Sequence, residues 1–263
     1  MKTKLDFAKK KKASEKITML TCYDFTMAKI LNMTSVDSLL VGDSVAQVMY
    51  GHPNTLNATT AMIARHTKAV VAGAPDKFVV ADMPFLSFRK GLKSTMDHVH
   101  LLMQAGAHAV KIEGVLGHEN VIHHIVESGV PVMGHLGLTP QSIHQLGGPK
   151  IQGRDQKVAD QMLADALKLQ ELGCFSLVLE CVPAYLAAEI TEKLLIPTIG
   201  IGAGSETSGQ ILVKQDMLGM NSQFSPKFLK KYASLEDQIK SAVENYVAEV
   251  GQTKFPSKEH SYE

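Results

Sequence analysis

Short, continuously apolar runs rich in β-branched residues alternate along the chain with longer amphipathic stretches. Eight such runs stand out. They are ITMLTCYD (Ile17 to Asp24), SLLVGDS (Ser38 to Ser44), FVVADMP (Phe78 to Pro84) and AVKIEG (Ala109 to Gly114), then VPVMGHLG (Val130 to Gly137), FSLVLECV (Phe175 to Val182), IPTIGIGAG (Ile196 to Gly204) and QILVKQDML (Gln210 to Leu218). Apolar character without strict alternation suits parallel strands covered on both faces. The gaps predict helices. Thr59 or Thr60 caps one that runs to Gly73, with Pro75 beyond its end, and a second starts at Ser94 and ends near Gly106. His118 to Gly129, Asp155 to Gly173 and Pro183 to Leu195 follow, and Phe228 to Val250 reads as a long C-terminal helix. Val45 to Ala58 and Leu138 to Arg154 are rich in Gly, Pro, Asn and Gln and read as loops.

Eight strands, each followed by a helix or loop, in about 250 residues predict an α/β chain folded as a (β/α)8 TIM barrel. A doubly wound open sheet is the alternative, but it usually has fewer strands and a glycine-rich first turn. No internal repeat or linker interrupts the pattern. The expectation is a single domain over 1–263, with an N-terminal helical extension at 1–16, the barrel at 17–220 and a C-terminal helix and tail at 221–263.

Composition changes the picture mainly by exclusion. Lys and Arg number 27 against 26 Asp and Glu, a formal charge of +1. That leaves no chain-wide basic field for nucleic acid or an anionic membrane, so neither is expected as a partner. Trp is absent and aromatics are 6% of residues, so platforms for base stacking are few. The three cysteines, Cys22, Cys174 and Cys181, form no CxxC pair, which argues against a disulfide framework or a thiolate zinc site. MKTKLDFAKKKKASEK has no signal-peptide core, and no run reaches the ~18 apolar residues of a membrane span, so a cytoplasmic setting is expected. The lysines Lys9 to Lys12 read as a solvated helix face rather than a phosphate contact.

Barrel enzymes carry their chemistry at the C-terminal ends of their strands. Taken in order, those ends offer Tyr23 and Asp24, Asp43 and Ser44, Asp82, Lys111 and Glu113, His135, and Glu180. Asp43, Asp82 and Glu113 come from three consecutive strands, and neighbouring strands lie about 4.8 Å apart. Carboxylates so close repel one another unless a cation sits among them, and all-oxygen ligation suits Mg²⁺. The plainer reading is three unrelated strand-end acids, each satisfied locally. Lys111 shares a strand face with Glu113, so it can be an ion-pair partner of the acids, a counter-ion for a substrate carboxylate, or a Schiff-base nucleophile. Glu180 ends the apolar run SLVLE and suits proton transfer, or it is a buried, hydrogen-bonded Glu. His135 is a donor near a substrate or a satisfied core histidine. Other signals are weak. GIGAGSETSG fails the GxGxxG pattern, His118-Glu119 with His123 has the wrong spacing for HExxH, and His98 and His100 do not share a helix face.

Eight segments taken together resemble the ketopantoate hydroxymethyltransferase family. They are TCYD (Thr21 to Asp24), LLVGDS (Leu39 to Ser44), ADMPF (Ala81 to Phe85), VKIEG (Val110 to Gly114), GHLGLTPQS (Gly134 to Ser142), LVLECVP (Leu177 to Pro183), IPTIGIGAG, and GQILVKQDMLG (Gly209 to Gly219). The likeness runs from about Thr18 to the EHSY at Glu259 to Tyr262. It implies the (β/α)8 fold, a Mg²⁺ ion, and hydroxymethyl transfer from 5,10-methylenetetrahydrofolate to the keto acid 3-methyl-2-oxobutanoate. By that resemblance Asp43, Asp82 and Glu113 are associated with the metal. Ser44 and Lys111, together with Asp43 and Asp82, bind the keto acid, and Glu180 accepts the proton. A homo-oligomer, a decamer of two stacked pentamers, is also implied. The chain departs from the family pattern after GDS, where Val45-Ala46-Gln47 replaces the usual Leu-Gly-Met.

Overall fold

The computed structural model describes residues 3–262. They divide into two compact units, 3–212 and 213–262. The first is a closed barrel of eight parallel strands in chain order. The strands are β1 (Ile17–Thr21), β2 (Ser38–Val41), β3 (Phe78–Asp82), β4 (Ala109–Glu113), β5 (Val132–Gly137), β6 (Ser176–Glu180), β7 (Thr198–Ile201) and β8 (Gly209–Leu212). Helices α1 (Lys4–Lys12), α2 (Phe25–Asn32), α3 (Val45–Val48), α4 (Thr60–Gly73), α5 (Leu92–Gln104), α6 (Glu119–Glu127), α7 (Ile143–Leu146), α8 (Gln156–Glu171) and α9 (Ala184–Lys193) precede or connect the strands. The TIM barrel expected from the alternation of elements is therefore the fold observed.

Successive residues of a strand point to opposite faces, and the burial of each face follows from that period of two. One set, including Ile17, Met19, Leu40, Phe78, Val80, Ala109, Met133, Val178, Ile199 and Ile211, fills the lumen. The alternate set, including Leu39, Val41, Val79, Ala81, Val110, Ile112, Leu177 and Leu179, packs under the helices. Continuing the lumen-facing set towards the strand ends brings in Asp82 after Val80, Lys111 and Glu113 after Ala109, His135 after Met133, and Glu180 after Val178. The polar end of the lumen is thus laid on an apolar floor by strand geometry alone.

The other end of the lumen is capped by α1. Phe7 is fully buried, its ring centroid 5.5 Å from that of Phe78 and 5.2 Å from that of Phe175, both edge-on. Only part of the lysine run on α1 is a solvated face. Lys9 and Lys12 are exposed, but Lys11 Nζ donates to the carbonyls of Thr191, Leu194 and Ile196 at 2.7–2.9 Å. Lys10 Nζ pairs with Asp37 at 2.6 Å. No phosphate contact is needed to explain either residue.

Side-chain caps explain where several helices begin. Asp24 accepts from the Met27 amide, Thr59 from Met62, and Asp155 from Lys157 and Val158. Helix α2 adds to those expected from sequence, since its eight residues follow β1 with no breaker beyond the Asp24 cap. The two expected loops carry short helical turns, α3 and Thr55–Asn57 in one, Pro140–Ser142 and α7 in the other.

Two sequence expectations are corrected. The eighth strand stops at Leu212, where its pairing with β1 (Ile17 to Leu20) ends, and α10 (Lys214–Met217) follows. The long C-terminal helix, α11, spans Leu235–Gly251 rather than starting at Phe228. The amides of Tyr232, Leu235 and Glu236 are taken by the carbonyls of Met217, Leu218 and Gly219, so a helix cannot use them. Glu236 and Asp237 then occupy its first turn, where the helix dipole favours acids. Within the second unit Glu236 also accepts from the Ser222 amide at 2.8 Å and pairs with Lys240 at 2.6 Å. Among the described residues no helix is long and apolar enough to cross a membrane.

Candidate active site

The polar end of the lumen gathers the six residues to which the resemblance gives a role, Asp43, Ser44, Asp82, Lys111, Glu113 and Glu180. The Asp43 amide donates to Asp82 Oδ2 at 2.8 Å, tying the end of β2 to β3. Lys111 Nζ lies 2.8 Å from Asp82 Oδ1 in a buried ion pair and 3.5 Å from His135 Nδ1. His135 stands between two acids, Nδ1 at 3.4 Å from Glu113 Oε1 and Nε2 at 3.3 Å from Glu180 Oε2. Ser44 Oγ is 2.6 Å from the Tyr23 hydroxyl. Asp43, Asp82, Lys111, Glu113 and His135 are each at most 5% exposed, whereas the Glu180 side chain is 20% exposed. Glu180 is therefore the acid that a bound molecule can reach most readily.

The electrostatics follow from this crowding. Burial, then the charges of Asp82 and Glu113, push the Asp43 carboxyl well above the usual carboxylate range, with Lys111 and Gln141 opposing. Burial works to lower Lys111, but Asp82, Glu113 and Asp43 outweigh it and hold its ammonium above the usual range. Burial and Lys111 likewise oppose a charge on His135. Glu113 and Glu180 prevail and lift the imidazole to about 9. The ion pair, one of the three readings open for Lys111, is formed with Asp82 and is compatible with a counter-ion role as well. An ammonium so held is a cation rather than an imine-forming nucleophile.

The donor set fits a hard divalent cation. Asp43, Asp82 and Glu113 are buried, repel one another and supply oxygen ligands only, with Asp82 Oδ1 paired to Lys111 and Glu113 Oε1 facing His135. Among the described residues no three His, Cys, Asp or Glu side chains are disposed to hold a metal ion by themselves. Water or a bound molecule would have to complete the coordination.

Two contributors escape a reading confined to charged strand ends. Gln141, in the turn after β5, donates its amide N–H to Glu113 Oε2 and its side-chain Nε2 to Asp43 Oδ2 and the Met83 carbonyl, all at 3.0 Å. Tyr23 is fully buried and sets Ser44. Burial raises its phenol far above the usual range, so it stays a neutral hydroxyl. The TCYD and LTPQS segments contain both residues, but neither carries charge.

The weaker signals resolve structurally. Asp24 caps α2. His118 packs on the Phe88 ring at 5.0 Å, where burial and Arg89 depress it to about 4. His98 bonds Thr60 at 2.9 Å. In the glycine-rich stretch after β7, Thr207 and Gln210 bond the loop's own carbonyls at 2.8–2.9 Å, as a tight turn requires. Burial pushes the Cys174 thiol to about 12, and burial with Glu180 pushes Cys181 to about 11. Neither is a ready thiolate at neutral pH.

Comparison with solved structures places the architecture. Phosphonopyruvate hydrolase, solved with oxalate and Mg²⁺, superposes with a TM-score of 0.65 at 9% identity, over 99% of this chain and 93% of that one. 2,3-Dimethylmalate lyase, a member of the PEP mutase/isocitrate lyase superfamily, superposes with a TM-score of 0.60 at 13% identity, over 96% and 99%. These likenesses show the fold alone, a closed TIM barrel of eight parallel strands. Sequence comparison is more specific. A family description, ketopantoate hydroxymethyltransferase, matches residues 2–258. The 3-methyl-2-oxobutanoate hydroxymethyltransferase of Bdellovibrio bacteriovorus is 56% identical over 262 residues, covering 100% of both chains. That of Francisella tularensis subsp. tularensis is 53% identical over 263 residues, covering 100% of this chain and 99% of the relative. The chain belongs to the ketopantoate hydroxymethyltransferase family and is an enzyme that transfers a hydroxymethyl group.

Proposed function

We propose that the enzyme transfers its hydroxymethyl group from 5,10-methylenetetrahydrofolate to 3-methyl-2-oxobutanoate, giving 2-dehydropantoate on the way to pantothenate. The observation that carries this reading is the convergence of Asp43, Asp82, Lys111, Glu113 and Glu180 in one lumen of a chain of this family. Asp43, Asp82 and Glu113 are the residues that would hold a divalent cation, Mg²⁺, shared with water and the keto acid. When bound, the cation supplies Lewis-acid polarisation of the keto group, which acidifies the neighbouring C–H.

The remaining steps fall to side chains. Lys111, kept charged by Asp82, neutralises the carboxylate of the keto acid. Ser44, oriented by Tyr23, fixes its position. Glu180 Oε2, with the imidazole of His135 at 3.3 Å, takes the proton from C3. The carbon so released forms a C–C bond to the one-carbon unit, both of whose bonds to the folate nitrogens N5 and N10 break, and the protons given up by C3 and by water pass to those nitrogens, leaving tetrahydrofolate. Water supplies the hydroxyl oxygen. The rival in which Lys111 forms an imine needs a neutral amine, which the pair with Asp82 at 2.8 Å opposes.

The test is exchange of solvent deuterium into C3 of 3-methyl-2-oxobutanoate, with and without Mg²⁺ and folate. The expected result is Mg²⁺-dependent exchange in the wild type that falls by about 10² or more in Glu180→Gln, the range for loss of a general base. Exchange that ignores both Mg²⁺ and Glu180→Gln would refute the proposal.

A further inference from the structure

Gln141 is 5% exposed and joins the ends of three strands from a single turn, Pro140–Ser142. Its backbone N–H holds Glu113 Oε2, at the end of β4, at 3.0 Å. Its side-chain nitrogen holds Asp43 Oδ2, just beyond β2, and the Met83 carbonyl, just beyond β3, each at 3.0 Å. A primary amide nitrogen has two protons, and both are used here. Both partners are acceptors, so only Nε2 can face them, and the orientation of the amide is settled by chemistry.

That orientation leaves Gln141 Oε1 buried with no hydrogen-bond partner. An unsatisfied buried acceptor is costly, which a residue serving stability alone would avoid. What the arrangement gains is a neutral donor between two buried carboxylates that repel each other. Side-chain rotation of Asp43 is stopped by one bond, and that of Glu113 by another from the same residue. The free oxygen is an acceptor for a donor that arrives with a ligand.

We infer that Gln141 is a positioning residue that presets the Asp43 and Glu113 carboxylates, relative to one another, for a divalent cation. The inference rests on the cation reading of the site given above. Side-chain substitutions leave the backbone bond to Glu113 in place, so they isolate the Asp43 arm.

The experiment titrates metal-free protein with Mn²⁺, reading free Mn²⁺ by its electron paramagnetic resonance signal, alongside thermal unfolding without metal and steady-state turnover. Gln141→Met keeps the length and removes the donors. Gln141→Asn keeps an amide too short to span, and serves if the Met variant folds poorly. The expected result is a Mn²⁺ Kd raised about tenfold or more, the usual range for groups that orient metal ligands, with kcat at saturating Mn²⁺ within about threefold of wild type. The metal-free melting temperature should fall by only a few degrees, because Asp43 Oδ2 and the Met83 carbonyl lose their donor, so the Kd is the deciding readout. Wild-type Mn²⁺ affinity in a folded variant overturns the inference, and so does a lowered melting temperature with unchanged Kd, which marks a structural role only. If the wild type itself fails to bind Mn²⁺, the cation reading falls and takes this inference with it.

Discussion

Tyr23 places its hydroxyl 2.6 Å from Ser44 Oγ inside a fully buried ring environment, so the bond cannot be replaced by water. Tyr23→Phe removes it without opening a cavity. The expected outcome is a KM for 3-methyl-2-oxobutanoate raised about five- to tenfold, the worth of one neutral hydrogen bond, with the fold intact by circular dichroism. The same scale explains which residues the sequence makes legible. Asp82, Lys111, Glu113, His135 and Glu180 are legible because each ends an apolar run at an inward-facing position of period two. Gln141 is not, since it is uncharged, lies in a turn, and finds its partners 28 and 98 residues away. Tyr23 reads as a strand-end residue, but its bond to Ser44 depends on how two strands meet.

Among elements, the N-terminal helix α1 does more than its lysine-rich sequence declares. Burial of Phe7 against Phe78 and Phe175 makes Phe7→Ala a loss of about 3–5 kcal/mol, to be read from urea unfolding. The helix is also anchored by Lys10 on Asp37, a residue 9% exposed. Burial alone would raise the Asp37 carboxyl, but Lys10 and the bonds from Thr18 outweigh it and hold it below the usual range. A carboxyl depressed on folding adds stability above its unfolded value, about 3.9, and that stability is lost as pH falls through the folded value. Asp37→Asn should therefore lower stability at pH 7 and flatten its decline towards pH 3, as followed by urea midpoints. Element boundaries are legible where a cap marks them, as at Thr59 and Asp155. They are not at Phe228 to Ser234, where backbone partners outside the helix decide.

At the scale of the whole barrel, closure depends on β8 lying against β1. Ile17 pairs with Gly209 in that register, and a Cβ on Gly209 would strike the Ile17 carbonyl. Gly209→Ala should therefore prevent or badly weaken closure, with the cooperative thermal transition seen by circular dichroism lost or shifted far down. The eightfold alternation of apolar runs and amphipathic stretches makes the barrel legible in the sequence alone. The closeness of Gly209 to Ile17 is not legible there, because nothing local marks it. Closure at one end has a kinetic corollary. With Phe7 stoppering the lumen beneath Asp82 and Lys111, reactants and product share one doorway. The molecule seated deepest must then arrive first and depart last, which favours an ordered sequence of binding and release over a random one.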